Sequence, residues 1–370
     1  MNYPVAYDPV REYYAREEKK AIRQNAERVG IVLLIAVGLQ FVAVFFDIVL
    51  GLLLGSAGEV SLSEIAQNKG MVYSALLTMV EYIVYMGVPV LVGWLLFRRR
   101  GVKIMPLQKT DGSFGMGLVL LGLGMMVIAN IIGSYILTVL EAVGVTPAEM
   151  PEMQDGTVPV LLLNIVTVGI LPGIFEELLF RGVILQGMRP AGDVAALVCS
   201  SLMFGLMHGT LYQIPFAFIL GLVFGYIVLK TGNILWSMGL HIVNNTLSVL
   251  MEYWLWGMDD AAAGKWYLLF FGVEAFLGII GAAVLMMRSH PRVTPVGDRI
   301  SSWLTVKERR RALYTAGTVI AFVAIMVLIT VGSLQFEGLG GFGETDDSAK
   351  PPIGSQEEQQ SARVFTEVFR

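Results

Sequence analysis

Residues 115–140 read GMGLVLLGLGMMVIANIIGSYILTVL, a stretch of 26 residues without a charged side chain. A helix of about 20 apolar residues crosses the hydrocarbon core of a bilayer, because each residue adds about 1.5 Å to its length. This stretch therefore predicts a membrane-spanning helix.

The composition of the whole chain agrees with that prediction. Of the 370 residues, 55% are hydrophobic and 15% are charged, whereas soluble domains carry about 25% charged residues. So few charges argue against a soluble enzyme and against a disordered protein. The net charge of −4 argues against nucleic acid as a partner, since phosphate binding needs a basic face. The single cysteine, Cys199, excludes a disulfide framework and a cysteine-based metal cluster.

Similar apolar runs predict nine spans, at 29–54, 71–97, 115–140, 160–188, 193–211, 213–229, 234–256, 266–287 and 312–334. With the N-terminus inside, 21 of the 26 Lys and Arg residues fall on inner segments, as the positive-inside rule requires. We therefore expect an all-α polytopic membrane bundle of about eight core transmembrane helices plus one extra C-terminal helix. The expected location is the plasma membrane of a prokaryote, with a cytosolic N-terminus and an outer C-terminus.

This pattern also predicts how the chain is divided. We expect a cytosolic arm over 1–28, a membrane domain over 29–288, a basic cytosolic loop over 289–311 and an additional helix over 312–334. The segment 335–370 is rich in Gly, Ser, Gln and acidic residues, which predicts a disordered outer tail.

Ionisable residues inside the spans each need a reason, because a charge at the bilayer centre costs about 3 kcal/mol. Four acids are scattered one per helix and are interpreted as partners in helix packing: Asp47, Glu81, Glu252 and Glu274. Five others lie on three helices within 65 residues: Glu176, Glu177, Arg181, His208 and His241. A rise of 1.5 Å per residue places the last group at similar depths, about 10–22 Å from the inner face. This shared depth predicts one buried site.

Helical spacing separates the two glutamates by role. Glu177 and Arg181 are four residues apart on one face, with the acid first, the favoured order for an ion pair. We interpret them mainly as a structural pair, with binding of a substrate carboxylate as the minor alternative for Arg181. Glu176 is rotated by about 100° from Glu177. It is therefore predicted to be the carboxylate that this pair does not neutralise.

These residue types are suited to hydrolysis. A carboxylate buried without its own cation, Glu176, holds a proton more readily than in water and suits a general base. The imidazole of His208, one turn after Phe204, is placed to orient a water molecule. His241 and Asn245 share a helix face and offer donors for a developing oxyanion. The alternative is a divalent metal, for example zinc, on Glu176, His208 and His241, with an open position for water.

Three short motifs resemble those of one protease family. The run Glu176-Glu177-Leu178-Leu179-Phe180-Arg181 is similar to the E-E-x-x-x-R motif of the CPBP family. These are CAAX-processing type II prenyl proteases and their bacteriocin-processing relatives, also called Abi proteins. Phe204-Gly-Leu-Met-His208 is similar to the F-x-x-x-H motif, and His241-Ile-Val-Asn-Asn245 to the H-x-x-x-N motif. The motifs lie in order over 160–256, the expected core of the membrane domain.

The resemblance implies an intramembrane endopeptidase whose cavity opens to the cytosol. By this resemblance, Glu176 and His208 activate water, His241 and Asn245 hold the oxyanion, and Glu177 and Arg181 support the site. No cofactor is required in that mechanism, and the expected partner is a membrane-associated peptide or protein substrate within the bilayer. Two other functions are consistent with the same sequence. One is a non-catalytic scaffold or immunity protein of the same fold, and the other is a transporter that uses the buried acids.

Overall fold

Helices make up nearly all of the structure, a computed structural model that describes residues 8–53, 71–146, 157–287 and 302–336. In chain order they are α1 (Pro9–Leu53), α2 (Met71–Phe97), α3 (Gly112–Ala142), α4 (Val158–Ala191), α5 (Asp193–Leu206), α6 (Gln213–Thr231), α7 (Ile234–Leu255), α8 (Asp260–Met287), α9 (Val306–Tyr314) and α10 (Gly317–Gly332). Two short antiparallel strands, β1 (Val145–Thr146) and β2 (Gln335–Phe336), pair Val145 with Phe336. The predicted all-α class is confirmed.

Seven of these helices are long and apolar enough to cross a membrane, and the bent pair α9 and α10 adds an eighth if it counts as one span. The multi-pass prediction is therefore confirmed, but the predicted span over 193–211 is wrong in length. Helix α5 ends at Leu206 after 14 residues, about 21 Å at 1.5 Å per residue. The chain turns at Gly209, whose φ is +72°, a conformation that glycine adopts without steric cost. An apolar run alone does not reveal such a turn.

The boundaries differ from the prediction at both ends of the chain. Helix α1 already begins at Pro9, because the Ala, Glu, Lys and Arg residues of the predicted arm over 1–28 favour a helix. The predicted loop over 289–311 contains the start of α9, whose first turn is capped by Thr305 and Glu308. The two arms α9 and α10 meet at 60°, so the last apolar helix begins at Gly317 rather than at 312. Residues 337–370 of the predicted tail lie outside the described residues.

Basic segments that the sequence assigned to the inner face meet at one end of the bundle. One cavity is lined by residues at or just after the ends of α2, α4 and α6, among them Arg100, Arg189 and Lys230. Helix α9 packs on α1 and on the end of α4, and Ser302 donates to the carboxylate of Glu18 at 2.5 Å. We call this the basic end of the bundle. The side of the membrane that it faces stays a prediction.

The second half of helix α4, residues 179–188, is buried inside the bundle, and the helix contacts α1, α2, α5 and α7. Its glycines allow the close approach to α7. A Cβ added at Gly173 would lie 2.4 Å from a side-chain carbon of Ile242, and one added at Gly169 would lie 2.6 Å from the hydroxyl of Thr246. Small residues at such crossings let two backbones come together. This contact brings the acidic residues of α4 beside the histidine of α7.

Candidate active site

The candidate site is built on an irregular part of α4. Two π-helical stretches, Ile165–Ile170 and Leu178–Ile184, flank the turn that carries Glu176 and Glu177, and such widened turns are frequent at functional sites. Pro172 has no backbone N–H, so it cannot donate to the carbonyl of Val168 four residues earlier. The side-chain amide of Asn245 donates to that carbonyl at 3.1 Å. Asn245 therefore ties α7 to the break in α4.

Glu177 and Arg181 form the predicted ion pair. The Arg181 Nη1 lies 2.6 Å from the Glu177 Oε1, and both side chains are at most 1% exposed. The guanidinium also lies between two aromatic rings, 4.3 Å from the centroid of Phe204 and 4.9 Å from that of Phe224. An arginine so enclosed is stabilised by the ring faces as well as by its counter-charge. These contacts confirm the ion pair that the sequence spacing predicts.

His241 lies between the two carboxylates. Its Nδ1 is 3.1 Å from the Oε1 of Glu177, and its Nε2 is 3.8 Å from the Oε2 of Glu176. The ring stacks on Phe224 at a centroid distance of 4.8 Å. Since Glu177 accepts from Nδ1, the tautomer with Nδ1 protonated is favoured and Nε2 is directed toward Glu176. One histidine thus connects the structural ion pair to the other carboxylate.

Glu176 and His208 line the same cavity of about 210 Å³. The Nδ1 of His208 lies 2.9 Å from the carbonyl oxygen of Phe204. Because a carbonyl only accepts, Nδ1 carries the proton and the Nε2 of the neutral ring is an acceptor. The cavity has room for several water molecules, each of which occupies about 30 Å³. The imidazole of His208, which can accept a hydrogen bond from water, and the carboxylate of Glu176 therefore face the same small cavity.

Helix α2 contributes a residue that the sequence did not predict. The hydroxyl of Tyr82 donates to the Oε1 of Glu176 at 2.8 Å, and its ring packs edge to face on Tyr85. A tyrosine in a membrane helix is common, so the sequence carries no signal that singles out Tyr82. The ring of Phe224 and the side chain of Gln40, which lines the cavity, were not predicted either.

Six of the seven predicted site residues form one contact network. Phe204 joins its two halves, because its ring packs edge to face on both His208 and His241, at 5.0 and 5.9 Å. The seventh, Asn245, lies one turn beyond His241 and contacts Val168 and Asn244. Among the described residues, no group of three His, Cys, Asp or Glu side chains is arranged to hold a metal ion. A metal on Glu176, His208 and His241 stays a prediction.

Comparison with known proteins supports the resemblance seen in the motifs. The family model of the type II CAAX prenyl endopeptidase Rce1-like proteins matches residues 158–247. This segment runs from the start of α4 into α7 and contains all three motifs. No curated protein and no solved structure matches the chain.

Proposed function

Because residues 158–247 match the family model of the type II CAAX prenyl endopeptidases, we propose that the chain is an intramembrane endopeptidase. It hydrolyses a peptide bond of a membrane-associated protein or peptide. The observation that carries the proposal is that Glu176 and His208 face one small cavity. The family match supports a CAAX-type protease in general terms, and the roles of individual residues rest on the geometry.

Glu176 and His208 activate the attacking water. The Nε2 of His208 accepts one hydrogen bond from the water, and the carboxylate of Glu176 removes its proton. The oxygen then bonds to the carbonyl carbon of the peptide, and the carbonyl oxygen becomes an oxyanion. When the C–N bond breaks, the proton on Glu176 passes to the leaving nitrogen. The products are a carboxylic acid and an amine, and Glu176 returns to its ionised form.

His241 and Asn245 hold the oxyanion in this mechanism. For His241 to donate from Nε2 while Nδ1 donates to Glu177, the ring must carry both protons. Asn245 uses one of its two amide hydrogens on Val168, which leaves the other for the oxyanion. Glu177, Arg181 and Phe204 act as positioning residues.

The experiment compares the full-length wild type with Glu176→Gln in detergent, on a library of membrane peptides read by mass spectrometry. Loss of a general base lowers the rate by about 10²–10⁴-fold, so we expect cleavage by the wild type and almost none by the variant. Glu81→Gln is the matched control, since it removes an acid from the neighbouring α2 and should leave cleavage intact. Equal cleavage by wild type and Glu176→Gln would contradict the mechanism.

The same variants separate the alternative functions. A scaffold or immunity protein predicts that Glu176→Gln leaves the cellular phenotype unchanged. A transporter predicts substrate flux into liposomes that depends on Glu176 or Glu81. We further propose a prokaryotic plasma membrane with the N-terminus in the cytosol, which cysteine labelling from either side of intact cells will test.

A further inference from the structure

A cavity of about 860 Å³ lies at the basic end of the bundle, apart from the candidate active site. Along α4, Arg189 in its wall is 13 residues from Glu176, which corresponds to about 20 Å at 1.5 Å per residue. The charged side chains that line it are Arg100, Lys103, Lys109, Arg189, Asp193 and Lys230. We propose that this cavity binds a phosphate-bearing anion, a ligand that goes beyond the proposed protease function.

The charges of the cavity do not balance. Asp193 is its one acidic side chain among the described residues, and its two oxygens bind Arg189 at 2.8 and 3.3 Å. Gln186 accepts from the same guanidinium at 3.1 Å, so Arg189 is held in one orientation. The other four cations share a cavity that holds no further carboxylate among the residues described. Like charges repel one another when they are brought together, and a bound anion relieves that repulsion.

Backbone hydrogen bonds join the segments that carry these cations. The segment after α2 and the turn after α6 exchange backbone hydrogen bonds, from Gln108 to the carbonyl of Gly232 at 3.0 Å and from Ile234 to that of Pro106 at 2.9 Å. Gly232 has a φ of +66°, and a Cβ there would lie 2.4 Å from the Gln108 side chain. Glycine adopts this left-handed backbone conformation without steric cost. The cavity is therefore preformed, which lowers the entropic cost of binding.

The size and place of the cavity favour a phosphate group that belongs to a larger molecule. Its volume is in the upper part of the range of small-molecule sites, about 300–1,000 Å³, and exceeds what a bare phosphate fills. Arginine and lysine are the usual phosphate-binding side chains. Basic pockets between membrane helices bind the headgroups of anionic lipids. A phospholipid headgroup and a soluble phosphate compound share this chemistry, and the experiment distinguishes them.

The experiment measures ligand binding to the full-length protein in a nonionic detergent, by native mass spectrometry and by thermal stabilisation. The probes are dioctanoyl-phosphatidylglycerol, the zwitterionic dioctanoyl-phosphatidylcholine and inorganic pyrophosphate. The test variant is Lys103→Gln/Lys109→Gln/Lys230→Gln. The control, Lys19→Gln/Lys20→Gln/Lys307→Gln, removes three exposed cations from the same end of the bundle but outside the cavity.

We expect saturable binding of phosphatidylglycerol and not of phosphatidylcholine. The test variant should weaken it by at least about tenfold, since each basic residue near an anionic lipid contributes measurably, and the control should change it by less than about twofold. Saturable binding of pyrophosphate alone, with the same dependence on the three lysines, would identify a soluble phosphate as the ligand. Absence of saturable binding for both anions would overturn the proposal. So would equal weakening by the test and control variants.

Discussion

Replacing Glu177 by Gln removes the negative charge from a fully buried ion pair and leaves Arg181 without its partner at 2.6 Å. Breaking a buried pair on one side costs about 3–5 kcal/mol, because the remaining charge stays desolvated. The rings of Phe204 and Phe224 contact the guanidinium in both proteins and do not change the difference. The carboxylate of Glu176 also attracts Arg181. We therefore expect a loss near the lower limit, about 3 kcal/mol.

A double change separates the charge from the packing. Glu177→Leu with Arg181→Met replaces the pair by apolar groups of similar size, which is often neutral or stabilising. We expect the free energy of unfolding to return to within about 1 kcal/mol of the wild type. Peptide cleavage should nevertheless be lost in the double variant, because His241 has lost the carboxylate that accepts from its Nδ1 at 3.1 Å.

The unfolding of each variant can be measured with a cysteine that the chain already contains. Cys199 is the single cysteine and is buried in α5, so a thiol reagent labels it only when the bundle opens. Labelling during an SDS titration in mixed micelles gives the free energy of unfolding for each variant. Glu12→Gln is the matched control, because it breaks an exposed pair with Arg16 of the same spacing and should cost less than about 1 kcal/mol. A similarly small cost for Glu177→Gln, with no recovery in the double variant, would refute the buried ion pair.

Three further predictions concern the same site. Tyr82→Phe removes the hydrogen bond to Glu176. Because a hydrogen bond to a charged group contributes about 1.5–3 kcal/mol, we expect kcat/KM for peptide cleavage to fall by about 10–100-fold. The exposed Tyr135 is the control, and equal rates for the two Phe variants would argue against a role for the hydroxyl. Gly173→Ala places a Cβ 2.9 Å from the backbone nitrogen of Ile242 and should destabilise the bundle by about 1–3 kcal/mol, as measured by the thiol-labelling assay. The control Gly239→Ala should not destabilise it, because an added Cβ there has nothing within 4 Å. Treatment with a strong chelator should leave cleavage unchanged, and loss of activity that zinc restores would instead establish the metal-dependent alternative.

The site combines a rigid half and an accessible half. Glu177, Arg181 and the rings of Phe204 and Phe224 around them are buried. Glu176 and His208 face the cavity, where Glu176 accepts a hydrogen bond from Tyr82 and His208 donates one to the carbonyl of Phe204. Catalytic groups need such support from packed neighbours, because small displacements of a reacting group lower the rate strongly.

The amino-acid sequence by itself determined the class of the protein and the pairs that lie within one helix. Long apolar runs with few charges predict membrane spans, because a charged side chain is costly in hydrocarbon and is therefore rare in such spans. The period of 3.6 residues places Glu177 over Arg181 whatever surrounds the helix, and the structure contains that pair. The three motifs likewise need no tertiary information, and they lie in the segment that the family model matches.

Contacts between helices were decided only by the tertiary structure. Tyr82 bonds to Glu176 across 94 residues of sequence, and His241 reaches Glu177 across 64. The crossing of α4 and α7 permits the second contact. It depends on the absence of a Cβ atom at Gly169 and Gly173. Local rules do not encode such distances, because packing selects one crossing among many that the same helices allow. The turn at Gly209 and the basic cavity arise in the same way, from backbone conformations and neighbours that no periodic pattern specifies.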